Sequence, residues 1–254
     1  MKILTIGNSF SEDSTKYLYA IAKSDGRELK VVNLYIGGCC LELHWNNVLE
    51  NKADYDYQLN GVSSDKVVSI LDTLLEDNWD VITIQQCSGL SGLIGSYRPY
   101  SRLLSEYIKK YTPNAKLYMH QTWAYEIDSI HEQFINYHSS QSEMFQALLH
   151  CYQTIASELA LDIIPFGQVI QALRKIPLFD YAKGGISLCR DGFHMHEVYG
   201  RYALAATWYM NIVGGDLLAN QFIPPVIEGI SAAPSEIVQI KQCIMSSDYI
   251  GLTK

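Results

Sequence analysis

Short, almost continuously apolar runs alternate along the chain with longer stretches whose apolar residues recur every three or four positions. Five runs read as strands: Lys2–Ile6, Leu29–Tyr35, Asp80–Ile84, Lys116–His120 and Asp162–Ile164. Their lack of polar alternation is what a parallel sheet covered on both faces requires. Ser11 or Asp13 can cap a helix running to about Ser24, with Tyr17, Leu18, Ile21 and Ala22 on one face and Asp25-Gly26 as its stop. His44–Asn51 reads as a short helix, and Ser64 or Asp65 can cap another to about Asp77, with Val68, Leu71, Leu74 and Leu75 inward. Further helices are expected over Tyr100–Tyr111, Ser142–Leu159, Gly167–Arg174, Glu197–Val213 and Ala233–Cys243. Ala53–Val62, polar and Tyr-rich, reads as an excursion or a small hairpin, and Leu90–Pro99, Ile127–Ser140 and Ile176–Arg190 read as loops. Strand–helix alternation without a linker or repeat predicts one α/β domain over residues 1–254: a three-layer α/β/α sandwich around a five-stranded parallel sheet.

Composition narrows the function classes. A net charge of −8 and the lack of a Lys/Arg cluster argue against a nucleic-acid partner. Six cysteines in 254 residues, with no CxxC pair, are too sparse for a disulfide scaffold and poorly spaced for structural zinc. No stretch of 18 apolar residues is present, so no membrane span is expected. No signal peptide is visible, since Lys2 leads straight into a short strand, so the default compartment is the cytoplasm, or the periplasm or exterior if a leader has been removed. Most of the 18 tyrosines are expected in structural, partly buried positions.

The topology concentrates polar turns on one rim. In open parallel sheets, ligands bind beyond the carboxyl ends of the strands. Gly7-Asn8-Ser9 leaves the first strand there, Gly37-Gly38 the second, Gln85-Gln86-Cys87-Ser88-Gly89 the third and His120-Gln121-Thr122-Trp123 the fourth, while Asp191-Gly192-Phe193-His194 can return to the same edge. Each has a plain structural use: a serine after a strand caps a helix, paired glycines make a turn, and Gln86 or His120 can satisfy buried backbone. Together they hold the parts of a serine hydrolase, with Ser9 as nucleophile, His194 as base and Asp191 as the group orienting the imidazole.

The order of these segments resembles the SGNH (GDSL-like) hydrolase superfamily. Gly7-Asn8-Ser9-Phe10-Ser11 resembles its first block, with Asn in place of the usual Asp. Gly38 fits the second-block glycine, and Asp191-Gly192-Phe193-His194 the terminal Asp-x-x-His block. The set GNSFS, GGC, IQQCSG, HQTWAY and DGFH resembles an uncharacterised bacterial subgroup of that superfamily, over roughly residues 2–213. The resemblance implies a flavodoxin-like topology and hydrolysis of carboxylic esters, commonly a short acyl or acetyl group on a sugar or similar alcohol. It implies an oxyanion hole from the N–H groups of Ser9 and Gly38. The family's third-block Asn is missing here, which leaves Gln86, or alternatively Ser88, for the third donor. Asn8, His120 and Trp123 are candidates for the substrate side, and Tyr125 for lining it. No metal and no cofactor are expected, and the partner is a small-molecule or glycan ester.

Three other readings use the same residues. Asp191, His194, His196 and His120 could hold a metal, which would leave the Ser9 segment unexplained. Cys40, Cys87 or Cys189 could be a thiol nucleophile, though nothing nearby in sequence lowers a thiol pKa. A binding protein for sugars or a nucleotide could use the same rim without chemistry.

Overall fold

A computed structural model describes residues 1–246 and Tyr249. The chain opens with β1 (Lys2–Gly7), α1 (Ser9–Thr15), α2 (Leu18–Ser24), β2 (Lys30–Tyr35) and α3 (Leu41–Leu49). An antiparallel pair follows, β3 (Tyr55–Leu59) and β4 (Val62–Val68), then α4 (Ile70–Glu76), β5 (Val81–Ile84) and α5 (Tyr100–Tyr111). The rest runs β6 (Lys116–His120), α6 (Gln141–Leu159), β7 (Asp162–Ile164), α7 (Phe166–Leu173), α8 (Tyr199–Trp208) and α9 (Pro234–Ser246). The sheet order is β4-β3-β2-β1-β5-β6-β7. Its five inner and right-hand strands are the parallel set expected, and β1, Ile3–Ile6 fully buried, is its centre. The helices form two layers, with α1, α2, α7, α8 and α9 packed together on one face and α3, α4, α5 and α6 on the other. Because β1 pairs on one side with β2 and on the other with β5, the chain reverses direction across the sheet at β1, and the crevice of such a switch point opens at its carboxyl end.

The sheet has seven strands rather than five. Residues 64–68, read above as the opening of a helix, belong to β4, and the helix begins one turn later, with the Ser69 hydroxyl accepting from the Asp72 N–H at 3.1 Å. The physical reason is the two-residue turn Asn60-Gly61, both at positive φ (52° and 81°), which suits a right-twisted hairpin and pairs Leu59 with Val62. Gly61 is also required by packing, since a Cβ there would lie 2.4 Å from the Lys16 carbonyl oxygen. That contact falls where the long first helix expected from the sequence breaks into α1 and α2. The N-terminal cap is Asn8, not Ser11 or Asp13, its side chain accepting from Phe10 N–H at 3.0 Å.

Two histidines belong to the core. His44 and His120 are both 0% exposed, and burial pushes each down to about 3. His120, a candidate for the substrate side, has its Nε2 2.7 Å from the Ser14 hydroxyl and its ring against Phe166, away from solvent. His44 Nδ1 is 2.9 Å from the Tyr55 hydroxyl.

Both rings stay neutral in the fold and take up a proton on unfolding below an ordinary histidine pKa of about 6.5. The unfolded state binds more protons in that range, so stability falls as pH falls. We expect a loss of about 1.4 kcal/mol per histidine per pH unit between roughly pH 6.5 and 4. Urea unfolding at pH 7, 6 and 5 measures it, and equal midpoints at pH 7 and 5 would contradict this burial.

Candidate active site

Ser9 is the first residue of α1, directly beyond the carboxyl end of β1. Its Oγ lies 2.8 Å from His194 Nε2, and His194 Nδ1 lies 2.7 Å from Asp191 Oδ2. The structure thus joins three residues, two of them some 185 positions from the first, into one hydrogen-bonded chain. Asp191 is held by its own loop. Its Oδ1 accepts from the N–H groups of Phe193 (3.2 Å) and His194 (2.8 Å), leaving Oδ2 for the ring. Partial burial pushes the Asp191 carboxyl up, but the bonds from the His194 ring and N–H and from Phe193 N–H outweigh it and hold the carboxyl below the usual carboxylate range. A carboxylate on Nδ1 fixes the tautomer that leaves the Nε2 lone pair facing the serine.

The loop carrying Asp191 and His194 is tied to α1 by a residue that looked like a helix cap in the sequence. Asp13 is 0% exposed and lies one turn beyond Ser9. Its carboxylate accepts from Arg190 Nη1 (3.0 Å), Arg201 Nε (2.8 Å) and the Met195 N–H (2.8 Å). From below, Phe10 stacks on Trp123 with ring centroids 4.0 Å apart, and Trp123 Nε1 donates to the Phe193 carbonyl at 2.8 Å. Glu126 adds a third tie, its N–H donating to Gly192 O at 2.7 Å and its carboxylate accepting from the Ser187 hydroxyl at 3.1 Å.

Asn8 locks the first three turns of the rim together. Its Nδ2 donates to Cys39 O (3.0 Å), while Oδ1 accepts from Gln85 Nε2 (2.6 Å) as well as from Phe10 N–H. Gly7 is needed for this packing, since a Cβ there would come within 2.9 Å of the Gln85 side chain and 2.5 Å of Ser11 Oγ. Gly38, at φ +64°, turns the second-strand loop toward Ser9. Among the described residues, neither the Ser9 nor the Gly38 N–H donates within the protein. Ser9 opens α1, where the first N–H groups have no intrahelical acceptor, Gly38 lies in the turn before α3, and both residues line the same cavity.

That cavity has a volume of about 370 Å³ and is lined by Asn8, Ser9, Phe10, Tyr35, Gly37, Gly38, Cys87, Ser88, His131, Glu132, Gln133, Phe193 and His194. A larger cleft of about 550 Å³ lies at the amino ends of the strands, among Met1, Lys2 and Arg27, and holds neither a serine nor a histidine.

Several sequence expectations are corrected here. Gln86 does not face the cavity. Its Nε2 donates to the carbonyl and hydroxyl of Ser96 (2.9 and 3.1 Å), and its Oε1 accepts from Leu41 and Cys87 N–H (3.1 and 2.8 Å), so its amide serves buried backbone. Ser88 does line the cavity, with its hydroxyl 2.8 Å from the Tyr125 hydroxyl. Asn8 reaches the wall, but every polar atom of its side chain is taken by the turns it joins. Trp123 and Tyr125 are fully buried and support the site instead of lining it. The metal set is not assembled, because His120 is in the core and His196 Nδ1 accepts from the Val198 N–H at 3.2 Å. Burial pushes the Cys87 thiol up to about 11 and Cys189 up to about 12, against the thiolate a cysteine nucleophile needs.

What the sequence reading missed is mostly in one segment. The stretch read as a loop over Ile127–Ser140 holds a 3-10 turn, Glu132–Tyr137, and its opening residues His131–Gln133 form one wall of the cavity. Its lack of periodicity hid it, and the only cue was a cluster of His, Glu and Gln between apolar residues.

The family model described as "Domain of unknown function (DUF4886)" matches residues 2–239. No curated protein matches the chain. Among solved structures, a DUF4886 family protein from Bacteroides uniformis is 32% identical, with 96% of this chain and 93% of that one covered and a TM-score of 0.87. An SGNH hydrolase candidate from Slackia heliotrinireducens is 18% identical over 83% of this chain and 97% of that one, with a TM-score of 0.54. The acetyl xylan esterase AlAXEase is 13% identical over 84% of this chain and 100% of its own, with a TM-score of 0.58. At such identities the last two likenesses are of fold, and the fold they share with this chain is that of SGNH hydrolases.

The Asp13 anchor carries a prediction. Asp13→Asn keeps the shape but removes the charge between two guanidinium groups, and should destabilise the fold by about 3–5 kcal/mol. Denaturant unfolding of the variant measures this, and a loss under about 1 kcal/mol would show that the anchor is dispensable.

Proposed function

From a chain that belongs to the DUF4886 family and carries a rigidly held Ser–His–Asp chain, we infer a serine esterase. The observation that carries this reading is the contact of Ser9 Oγ with His194 Nε2 at 2.8 Å, continued to Asp191 at 2.7 Å. A serine hydroxyl is a weak nucleophile at neutral pH and needs an adjacent base. Ser9 Oγ attacks the ester carbonyl while Nε2 takes its proton. The imidazolium so formed is stabilised by the Asp191 carboxylate, which stays ionised because its loop N–H groups hold it so. The negative charge that develops on the carbonyl oxygen meets the N–H groups of Ser9 and Gly38. His194 then returns the proton to the departing alcohol, and the acyl-enzyme is cleared by a water that the same ring activates.

The cavity supports a choice of substrate class. It is small and half-open, and its wall mixes aromatic faces (Tyr35, Phe193) with polar groups (His131, Glu132, Gln133). This suits a short acyl group, such as acetyl, on a hydroxyl-rich alcohol such as a sugar. The fold shared with AlAXEase agrees with that choice.

Ser9→Ala should lower turnover of p-nitrophenyl acetate by roughly 10⁴-fold or more. A fluorophosphonate probe should label the wild type on the Ser9 peptide alone. Wild-type rates in Ser9→Ala, or failure of the wild type both to turn over and to label, would refute the esterase reading. Acetate release from a panel of acetylated glycans then addresses the alcohol.

A further inference from the structure

Two backbone N–H groups enclose only one side of a tetrahedral oxyanion, and the group first expected on the other side, Gln86, is turned into the protein. The remaining donors in the cavity wall can be taken in turn. The Asn8 amide bonds Cys39 O, and the Ser88 hydroxyl is shared with Tyr125. Glu132 offers only acceptors, and His131, whose Nδ1 accepts from the Gln133 N–H at 3.1 Å and so leaves only Nε2 to donate, has its ring packed against Tyr125 and Phe193 with centroids 4.8 and 4.7 Å away. Gln133 and Tyr35 remain, since neither the Gln133 amide nor the Tyr35 hydroxyl makes a hydrogen bond among the described residues and both line the same cavity as Ser9, Gly38 and His194. Tyr35 ends β2, the strand that carries the Gly38 turn, whereas Gln133 stands on the other wall, over Gly89.

We propose that the Gln133 side-chain amide is a catalytic donor that completes the oxyanion hole opposite the Ser9 and Gly38 N–H groups. The inference rests on the esterase reading of Ser9.

The placement of Gln133 is built. The 3-10 turn that carries it is clamped to the segment after β5, with the Tyr137 hydroxyl donating to Gly89 O at 3.0 Å and accepting from Gly92 N–H at 2.9 Å. Asn136 Nδ2 donates to the same Gly89 carbonyl at 3.3 Å. The Gln133 side chain then crosses Gly89 so closely that a Cβ on residue 89 would sit 1.7 Å from its Oε1 and 2.6 Å from its Cβ. Glycine at 89 is what admits the side chain. With the amide oxygen over Gly89, the NH₂ end is the group left for the cavity. A neutral amide suits this use, because it donates to the anion without competing for the His194 proton.

Five variants test it with p-nitrophenyl acetate and with the rate of fluorophosphonate labelling, whose phosphoryl oxygen occupies the oxyanion position. Gln133→Ala should lower kcat by about 10²–10³ with KM within about threefold. Gln133→Glu keeps the shape and packing but replaces the donor with a charge, and should be at least as slow. Gly89→Ala should displace the side chain and give a similar loss with Gln133 intact. Labelling should slow in parallel, and thermal melting separates these losses from misfolding of any one variant. Ser9→Ala, run alongside, keeps the two readings apart. If it retains activity, the esterase reading fails and this inference with it. If it is inactive while Gln133→Ala and Gln133→Glu keep wild-type kcat and labelling rates, only the role of Gln133 is overturned. A loss in Tyr35→Phe in place of Gln133→Ala would overturn it too, and assign the donor to the other wall. A rise in KM alone would make Gln133 a ground-state substrate contact and not a donor to the transition state.

Discussion

The buried carboxylate of Asp13 is the interaction on which the site depends. An ionised group with no solvent exposure is costly unless it is fully bonded. Here two guanidinium groups and one backbone N–H meet it. Both Arg190 and Met195 lie within five residues of Asp191 or His194, so satisfying the charge also fastens the base-bearing loop. Ser9 and Asp13 share one short helix, which means that nucleophile and anchor move as one body. The His194–Ser9 distance is therefore set by a helix and a charge cluster, and only weakly by the 180 residues of chain between them.

A second constraint acts at the head of the same helix. Asn8 cross-links the turns after β1, β2 and β5 through one side chain. Those turns contribute Ser9, Gly38 and the Cys87–Ser88 wall. Each bond is buried, so loss of any partner would leave a desolvated polar atom, which is the more expensive half of a hydrogen bond. The first-block Asn is thus a structural joint, although it borders the cavity.

Much of this was legible in the chain. Apolar runs without alternation marked β1, β2, β5, β6 and β7, because strands covered on both faces have no other way to read. Strand order then put Ser9, Gly38 and the Asp191–His194 loop on one rim before any side chain was placed. Three features were not legible, each for a physical reason. The stretch from Ser64 has a helix-like cap and apolar spacing from Val68 on, and only the positive-φ pair Asn60-Gly61 decides for a hairpin up to Val68. Gln86 has suitable chemistry for an oxyanion donor, but three buried backbone groups and the Ser96 hydroxyl compete for its amide, and that competition is tertiary. The wall at His131–Gln133 belongs to a 3-10 turn, whose three-residue period leaves no amphipathic signature over so short a span.

The clamp of that turn on Gly89 gives the two sides of the cavity different origins. One side is made by strand ends and by a helix anchored through Asp13, and is tied into the sheet. The other is a 3-10 turn held by the bonds of Asn136 and Tyr137 to Gly89 and Gly92 and by the buried ring of Phe134 against Tyr125. The two sides therefore come from different parts of the chain and meet where the His131 ring packs against Phe193, with centroids 4.7 Å apart. The exposed positions of this turn, such as Glu132 and Ile135, therefore behave as an exchangeable faceplate: they can be rewritten to fit another substrate while Gln133 and the rings of Phe134 and Tyr137 beneath them keep the wall in place.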